Sequence, residues 1–183
     1  MKKLQIVIGL MVAGVALSAC GEKKKTTDII TQPVAVVPPQ APIAMQEYSD
    51  ERDVSWIGRE YHVSILRQPC DSLSLVKDET GQEFVDNVFS LAVSRADGSV
   101  FFRRTFVKRQ LASYLDDDFR RTGIFEGLVF DRVDGDWLVF AASVGHPQTD
   151  EYIPLVLRLS RYGDLQIQRD TQMDTNAGDE DDR

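Results

Sequence analysis

Two stretches decide the fold: Tyr61-His62-Val63-Ser64-Ile65 and Phe89-Ser90-Leu91-Ala92-Val93-Ser94. In each, a large apolar residue stands at every second position. A period of two marks a strand with one face buried and the other wet. Ile153, Leu155, Leu157 and Leu159, set between Tyr152, Pro154, Arg158 and Ser160, repeat the pattern, with Val156 interrupting the polar side. Working outward, Asp97-Gly98 and Asp134-Gly135 suit the positive φ that tight hairpin turns require, and Ile57-Gly58 and Tyr162-Gly163-Asp164 are weaker versions of the same signal. Strands joined in sequence by short turns make an antiparallel meander. The expected fold is mainly β, with about eight strands forming a sandwich or a partly open barrel. Leu128–Phe130 and Leu138–Val144 are apolar on both faces, which predicts that this hairpin lies centrally, covered on each side.

One interval departs from the β rhythm. Leu111 and Leu115 stand four apart with Ala112 beside them, and Asp116-Asp117-Asp118 leads into Phe119-Arg120-Arg121 and Gly123. This predicts one or two short helical turns near 108–121, with an aspartate as N-cap of the second. Three consecutive aspartates invite a calcium reading. They lack the spaced acids, glycine and terminal glutamate of a calcium loop, so capping and solvated charge are the better account.

The start of the chain carries an address. Lys2 and Lys3 precede the apolar run Leu4–Ala16, which is too short for a comfortable membrane span and fits a secretory signal. It ends in Leu17-Ser18-Ala19-Cys20, which resembles a bacterial lipobox. That resemblance implies that residues 1–19 are a cleaved signal peptide and that Cys20 becomes the lipidated first residue, holding the protein to a membrane by its acyl chains. Residues 20–44 follow as the lipidated Cys and a tether containing Pro33, Pro38, Pro39 and Pro42. In extended polyproline form such a tether reaches roughly 75 Å. Residues 45–173 are expected as a single globular domain. Residues 174–183, rich in Asp and Glu, read as a disordered acidic tail.

The whole chain has 21 Lys and Arg against 29 Asp and Glu; loss of residues 1–19 removes Lys2 and Lys3, leaving 19 against 29, a formal charge of −10. A chain this acidic gains nothing from counterion release on nucleic acid, so no nucleic-acid partner is expected. Once Cys20 is lipidated, Cys70 has no cysteine left to pair with and the domain rests on packing without a disulfide. The cysteine and histidine spacings that mark metal sites are missing, and no metal or cofactor is expected. Of the two histidines, His62 falls on the polar side of its strand. His146 lies in the polar loop Gly145-His146-Pro147-Gln148-Thr149-Asp150-Glu151 between two strong strands. Loops carry sites, so His146, Gln148, Asp150 and Glu151 form the candidate binding loop. Asp150 or Glu151 would orient the imidazole if it served as a general base, with a Ser or Cys70 as nucleophile. No nucleophile elbow accompanies it. Phe101-Phe102-Arg103-Arg104-Thr105-Phe106 mixes aromatics with arginine; Phe102 and Phe106 are expected to face the core, with the doubled residues marking a bulge.

Asp78-Glu79-Thr80-Gly81-Gln82-Glu83-Phe84, Arg95-Ala96-Asp97-Gly98-Ser99, Tyr114-Leu115-Asp116-Asp117-Asp118 and His146-Pro147-Gln148-Thr149-Asp150-Glu151-Tyr152, behind a lipobox and a proline tether, give the chain its family likeness. It resembles the small lipoproteins of Bacteroides and relatives that carry the domain of unknown function numbered 4738. The resemblance implies no activity, cofactor or site residue. It bears on address: surface-exported lipoproteins of those bacteria often carry acids after the lipidated Cys, whereas Gly21-Glu22-Lys23-Lys24-Lys25 is mostly basic. The expected location is the outer membrane, facing the periplasm. The expected function is non-enzymatic: a membrane-tethered domain that binds an envelope protein or an apolar ligand. The alternative is a small periplasmic hydrolase using His146 with Asp150 or Glu151.

Overall fold

Alternation in sequence becomes pairing in space. The computed structural model describes residues 41–171. The signal at 1–19, Cys20, the tether up to residue 40 and the acidic tail at 174–183 lie outside the described residues. Ten strands run in chain order: β1 (Tyr48–Trp56), β2 (Arg59–Pro69), β3 (Val76–Lys77), β4 (Glu83–Phe84), β5 (Asn87–Arg95), β6 (Val100–Val107), β7 (Ile124–Asp134), β8 (Trp137–Gly145), β9 (Tyr152–Ser160) and β10 (Leu165–Arg169). One four-stranded sheet has the order β1-β2-β5-β6 and the other β10-β9-β8-β7. All pairings between named strands are antiparallel. The short pair β3-β4 is an excursion between β2 and β5. Ile43, from the stretch expected as tether, adds a parallel bridge to Phe84.

The two sheets face each other across one core, so the fold is a β-sandwich and not a closed barrel. Trp56, Ile65, Phe89, Leu91 and Phe106 come from the first sheet and Phe125, Leu138, Phe140, Leu155 and Leu157 from the second, all buried in the same cluster. The rings of Phe89 and Phe125 meet across the interface at 4.3 Å. Burial follows the alternation read from sequence: Tyr61, Val63 and Ile65 point in, as do Phe89, Leu91 and Val93, and Ile153, Leu155, Leu157 and Leu159.

The expectation of a central β7-β8 hairpin is half right. β8 is interior, but β7 is an edge strand. Register shifts between Phe125 and Gly127 and again between Phe130 and Arg132 change which alternate residues of β7 point inward. Between the two shifts the alternation is regular: Leu128 is buried and Phe130 packs against the core, while Val129 is exposed, so Leu128–Phe130 looks two-sided because an apolar residue stands on the outer face. The doubled Phe101-Phe102 is a bulge. A shift between Val93 and Ser94 lets Phe101 pack against Trp56 and Tyr61 at 5.6 and 5.7 Å, while Phe102 pairs with Val93.

The helical interval has a topological role, carrying the chain from the first sheet to the second. It consists of a 3-10 segment (Lys108–Tyr114) and helix α1 (Asp117–Thr122). Asp116 occupies the N-cap position but makes no capping hydrogen bond. Its carboxylate instead meets Arg169 of β10 at 2.8 Å. The stacking of acids in the first turn and arginines in the last still suits the helix dipole.

One turn carries visible strain. Ile57 and Gly58 both have positive φ, 49° and 75°, in the two-residue loop between β1 and β2. A β-branched residue there is out of place, since its side chain crowds its own backbone. Ile57 is exposed, so little packing rewards it. Ile57→Asn restores the Asn-Gly pair that such turns favour. The expected result is a stabilisation of about 1 kcal/mol, seen as a rise of about 4 °C in the thermal midpoint.

Candidate functional site

A deeply buried polar clamp positions the crossover. Asp86 and Asn87 sit at the start of β5 with 5% and 0% of their surface exposed. Asp86 Oδ1 accepts the N–H of Phe125 at 2.8 Å, and Asn87 Nδ2 donates to the carbonyl of Phe125 at 2.9 Å. Both peptide groups of one β7 residue are thus taken by two side chains of the opposite sheet. Lys108 Nζ donates to the carbonyl of Gly123 and lies 3.7 Å from Asp86 Oδ2. Burial pushes the Lys108 ammonium below its usual range, and attraction to Asp86 restores only part. This cluster was not singled out from sequence. Its signal was two polar residues interrupting the apolar run Phe84-Val85-Asp86-Asn87-Val88-Phe89.

The candidate loop lies between β8 and β9 and is closed on itself. His146 N–H donates to the carbonyl of Glu151 at 2.9 Å, and Thr149 donates back to the carbonyl of His146 through its N–H and its hydroxyl. Gln148 holds φ at 61° to make the turn. The imidazole is not splayed into solvent. Its side chain is 16% exposed, it stacks on Phe119 of α1 at 4.0 Å with 12° between the planes, and Nδ1 lies 3.1 Å from Glu151 Oε2. Nε2 is buried 3.4 Å from Asp118 Oδ2, without the alignment of a hydrogen bond. Of the two acids considered as orienting groups, Glu151 takes the role; Asp150 is exposed beside the turn.

Three segments far apart in sequence meet here. Asp78, Glu79 and Thr80 from the turn between β3 and β4, Asp118 and Thr122 from α1, and the His146–Glu151 loop line a cleft of about 400 Å³. Asp78 is held below the usual carboxylate range, chiefly by the Thr80 hydroxyl, with the N–H groups of Gln82, Thr80 and Gly81 adding to the effect. The lining carries four carboxylates and neither Lys nor Arg. Asp116, Asp117 and Asp118 do not converge: they turn to Arg169, Arg120 and Arg121, and Asp118 also to His146. Among the described residues, no group of three or more His, Cys, Asp or Glu is placed to hold a metal ion. Cys70 is elsewhere, its Sγ 3.1 Å from Ser72 Oγ, and His62 pairs on the surface with Asp53 at 2.8 Å.

The family comparison bears on the same segments. The model described as Domain of unknown function (DUF4738) matches residues 27–167. The chain belongs to this family. The matched stretch takes in the clamp, both helical turns and the whole acidic cleft. No curated protein matches the sequence.

The clamp generates a stability test with unequal outcomes for its two charged members. Asp86→Ala strips the partner from two buried N–H groups and leaves Lys108 uncompensated, and is expected to cost about 3 kcal/mol or more. Lys108→Met removes the desolvated charge while Asp86 keeps its N–H donors, and is expected to shift stability by less than about 1 kcal/mol. The sign with pH follows from the lowered pKa. Between the folded value of Lys108 and the ordinary lysine value the unfolded chain binds more protons, so native stability rises with pH there, and Lys108→Met lacks that rise. Urea unfolding at several alkaline pH values reads both effects.

Proposed function

We propose that the protein is a cell-envelope lipoprotein, anchored through Cys20 and facing the periplasm, whose β-sandwich is a non-enzymatic recognition domain. Its acidic cleft takes a cationic group of an envelope protein. The observation that carries the reading is the setting of His146, whose two ring nitrogens both face carboxylates, at 3.1 and 3.4 Å. A general base that activates a nucleophile needs one nitrogen on a carboxylate and the other on a hydroxyl or thiol. Here the second nitrogen faces Asp118, and the cleft's threonine hydroxyls are engaged: Thr80 donates to Asp78 Oδ1, Thr122 to the carbonyl of Asp118, and Thr149 to the carbonyl of His146. The imidazole therefore works as a strap between loop and helix. A second feature favours surface recognition over carriage of an apolar ligand, since large side chains such as Trp56, Phe89, Phe125 and Phe140 fill the space between the sheets.

The cleft's charge supplies the specificity. Glu79 has no partner among the described residues, so its carboxylate is free to meet an ammonium or guanidinium. The lipobox, with small residues before Cys20, supports the anchor.

Two measurements test the reading. A lysine-rich decapeptide titrated into the protein at low salt is expected to move the amide resonances of Glu79, Thr122 and His146–Glu151, and Glu79→Lys is expected to weaken binding about fivefold, as the reversal of one exposed charge should. Binding indifferent to that change, or ester hydrolysis lost in His146→Ala, overturns the recognition reading. Membrane fractionation of cells making the full chain tests the anchor: Cys20→Ser is expected to move the protein from the membrane to the soluble fraction, and a variant that still sediments with membranes overturns it.

A further inference from the structure

A second cleft, of about 540 Å³, opens on the other side of the crossover, between residues 72–76 and the helical interval. Its lining includes the apolar Leu73, Leu75, Ala112 and Leu115 and the exposed cations Arg109, Arg120 and Arg121, while Lys108, also in the lining, is partly buried and committed to Gly123 and Asp86. In a chain of formal charge −8 this is a local inversion. The one carboxylate in the lining, Asp86, is turned toward Phe125 N–H and Lys108. Arg109 is exposed and has no partner among the described residues. Arg120 and Arg121 hold Asp117 and Asp118 at 3.0 and 3.4 Å in ion pairs open to water, which are weak and exchange readily.

The course of the chain brings the matching charge to this place. Arg169, the last residue of β10, donates through Nε to the carbonyl of Tyr114 at 2.6 Å and meets Asp116 at 2.8 Å through Nη2. The strand therefore leaves the sandwich beside Leu115, which lines the cleft. Asp174 and the block Asp179-Glu180-Asp181-Asp182 follow within a few residues. From Asp170 an extended chain reaches Asp174 in roughly 15 Å and Asp182 in roughly 40 Å, ample to lie along the rim.

We infer that the basic cleft is the docking groove of the chain's own acidic segment Asp174–Asp182, whose carboxylates exchange onto Arg109, Arg120 and Arg121. Attachment to β10 gives the segment an effective concentration in the millimolar range, so contacts too weak to hold a free peptide still fill the groove. The consequence is competition: an acidic partner gains the groove only by displacing the segment. The inference does not depend on the acidic cleft or on the lipid anchor.

Cys70 offers a native reporter, two residues before Ser72 on the cleft wall. In the full chain carrying Cys20→Ser, a nitroxide on Cys70 is expected to broaden the amide signals of residues 179–182 at least twofold at low salt. The broadening should vanish near 0.5 M salt, where the Debye length shrinks to about 4 Å. It should also vanish in Arg109→Gln/Arg120→Gln/Arg121→Gln, but not in Arg59→Gln/Arg103→Gln, which removes two exposed arginines from elsewhere. Thermal midpoints check that each variant is folded. Signals that stay sharp at low salt, or broadening that survives in the folded triple variant, overturn the inference. So does a folded full chain with D174N, D179N, E180Q, D181N and D182N that keeps the broadening. Sharp tail signals together with binding of a separate acidic peptide at the arginines would reject the cis occupant and give the groove to a partner.

Discussion

The sandwich depends on how one peptide unit is held. Phe125 begins the second sheet, its ring packs on Phe89 of the first, and its N–H and C=O are both claimed by Asp86 and Asn87. A buried carboxylate and amide are costly unless satisfied. Here they are spent on the point where the chain, having crossed between sheets, must enter the second one in register. Trp56 Nε1, donating to the carbonyl of Gly135 at 3.2 Å, joins the sheets near the far end of β7. Apolar packing between the sheets is non-directional, whereas these polar links choose one alignment among many that would bury similar area.

The crossover so fixed presents two faces of opposite charge. Asp118 and Thr122 of α1 look toward the His146 loop, and Arg120 and Arg121 toward residues 72–76. A six-residue helix thus divides an acidic cleft from a basic one. The stack of Phe119 on His146, with carboxylates at both imidazole nitrogens, fastens its acidic side to the β8-β9 loop. Lys108 fastens the other side through Gly123. The helix has no buried residue of its own, so these attachments set its position.

Much of the fold was legible in the sequence because alternation is a local signal. Tyr61-Val63-Ile65 and Phe89-Leu91-Val93 specify which face is buried without knowledge of any partner strand. The helical interval was legible too, from leucine spacing and the terminal glycine. Where reading failed, the cause was an apolar residue on an exposed face or a partner distant in sequence. The exposed Val129 made an edge strand look two-sided, and Arg169, far along the chain, took the carboxylate expected to cap α1. The candidate loop was legible as a loop, and Glu151 as the orienting acid was one of two options. The cleft itself was not, because Asp78, Glu79 and Asp118 become its neighbours only through the β3-β4 excursion and the crossover. Nothing local announces such meetings.

Each large sheet is built from one unbroken half of the chain, apart from the small β3-β4 excursion, and the crossover is the covalent link between the halves. Strand pairing is completed within each half, at separations as wide as that of Tyr61 and Arg95, so the first sheet can pair before the second is made. The order of synthesis then matters. Strands β1, β2, β5 and β6 emerge first and present Trp56, Ile65, Phe89, Leu91 and Phe106 on one side with nothing to cover them until β7 to β9 arrive. A half-finished sheet with a greasy face and open edges is a target for misassociation. The protein therefore has a window of vulnerability between its two halves, during which a chaperone or continued delay of folding would protect it best.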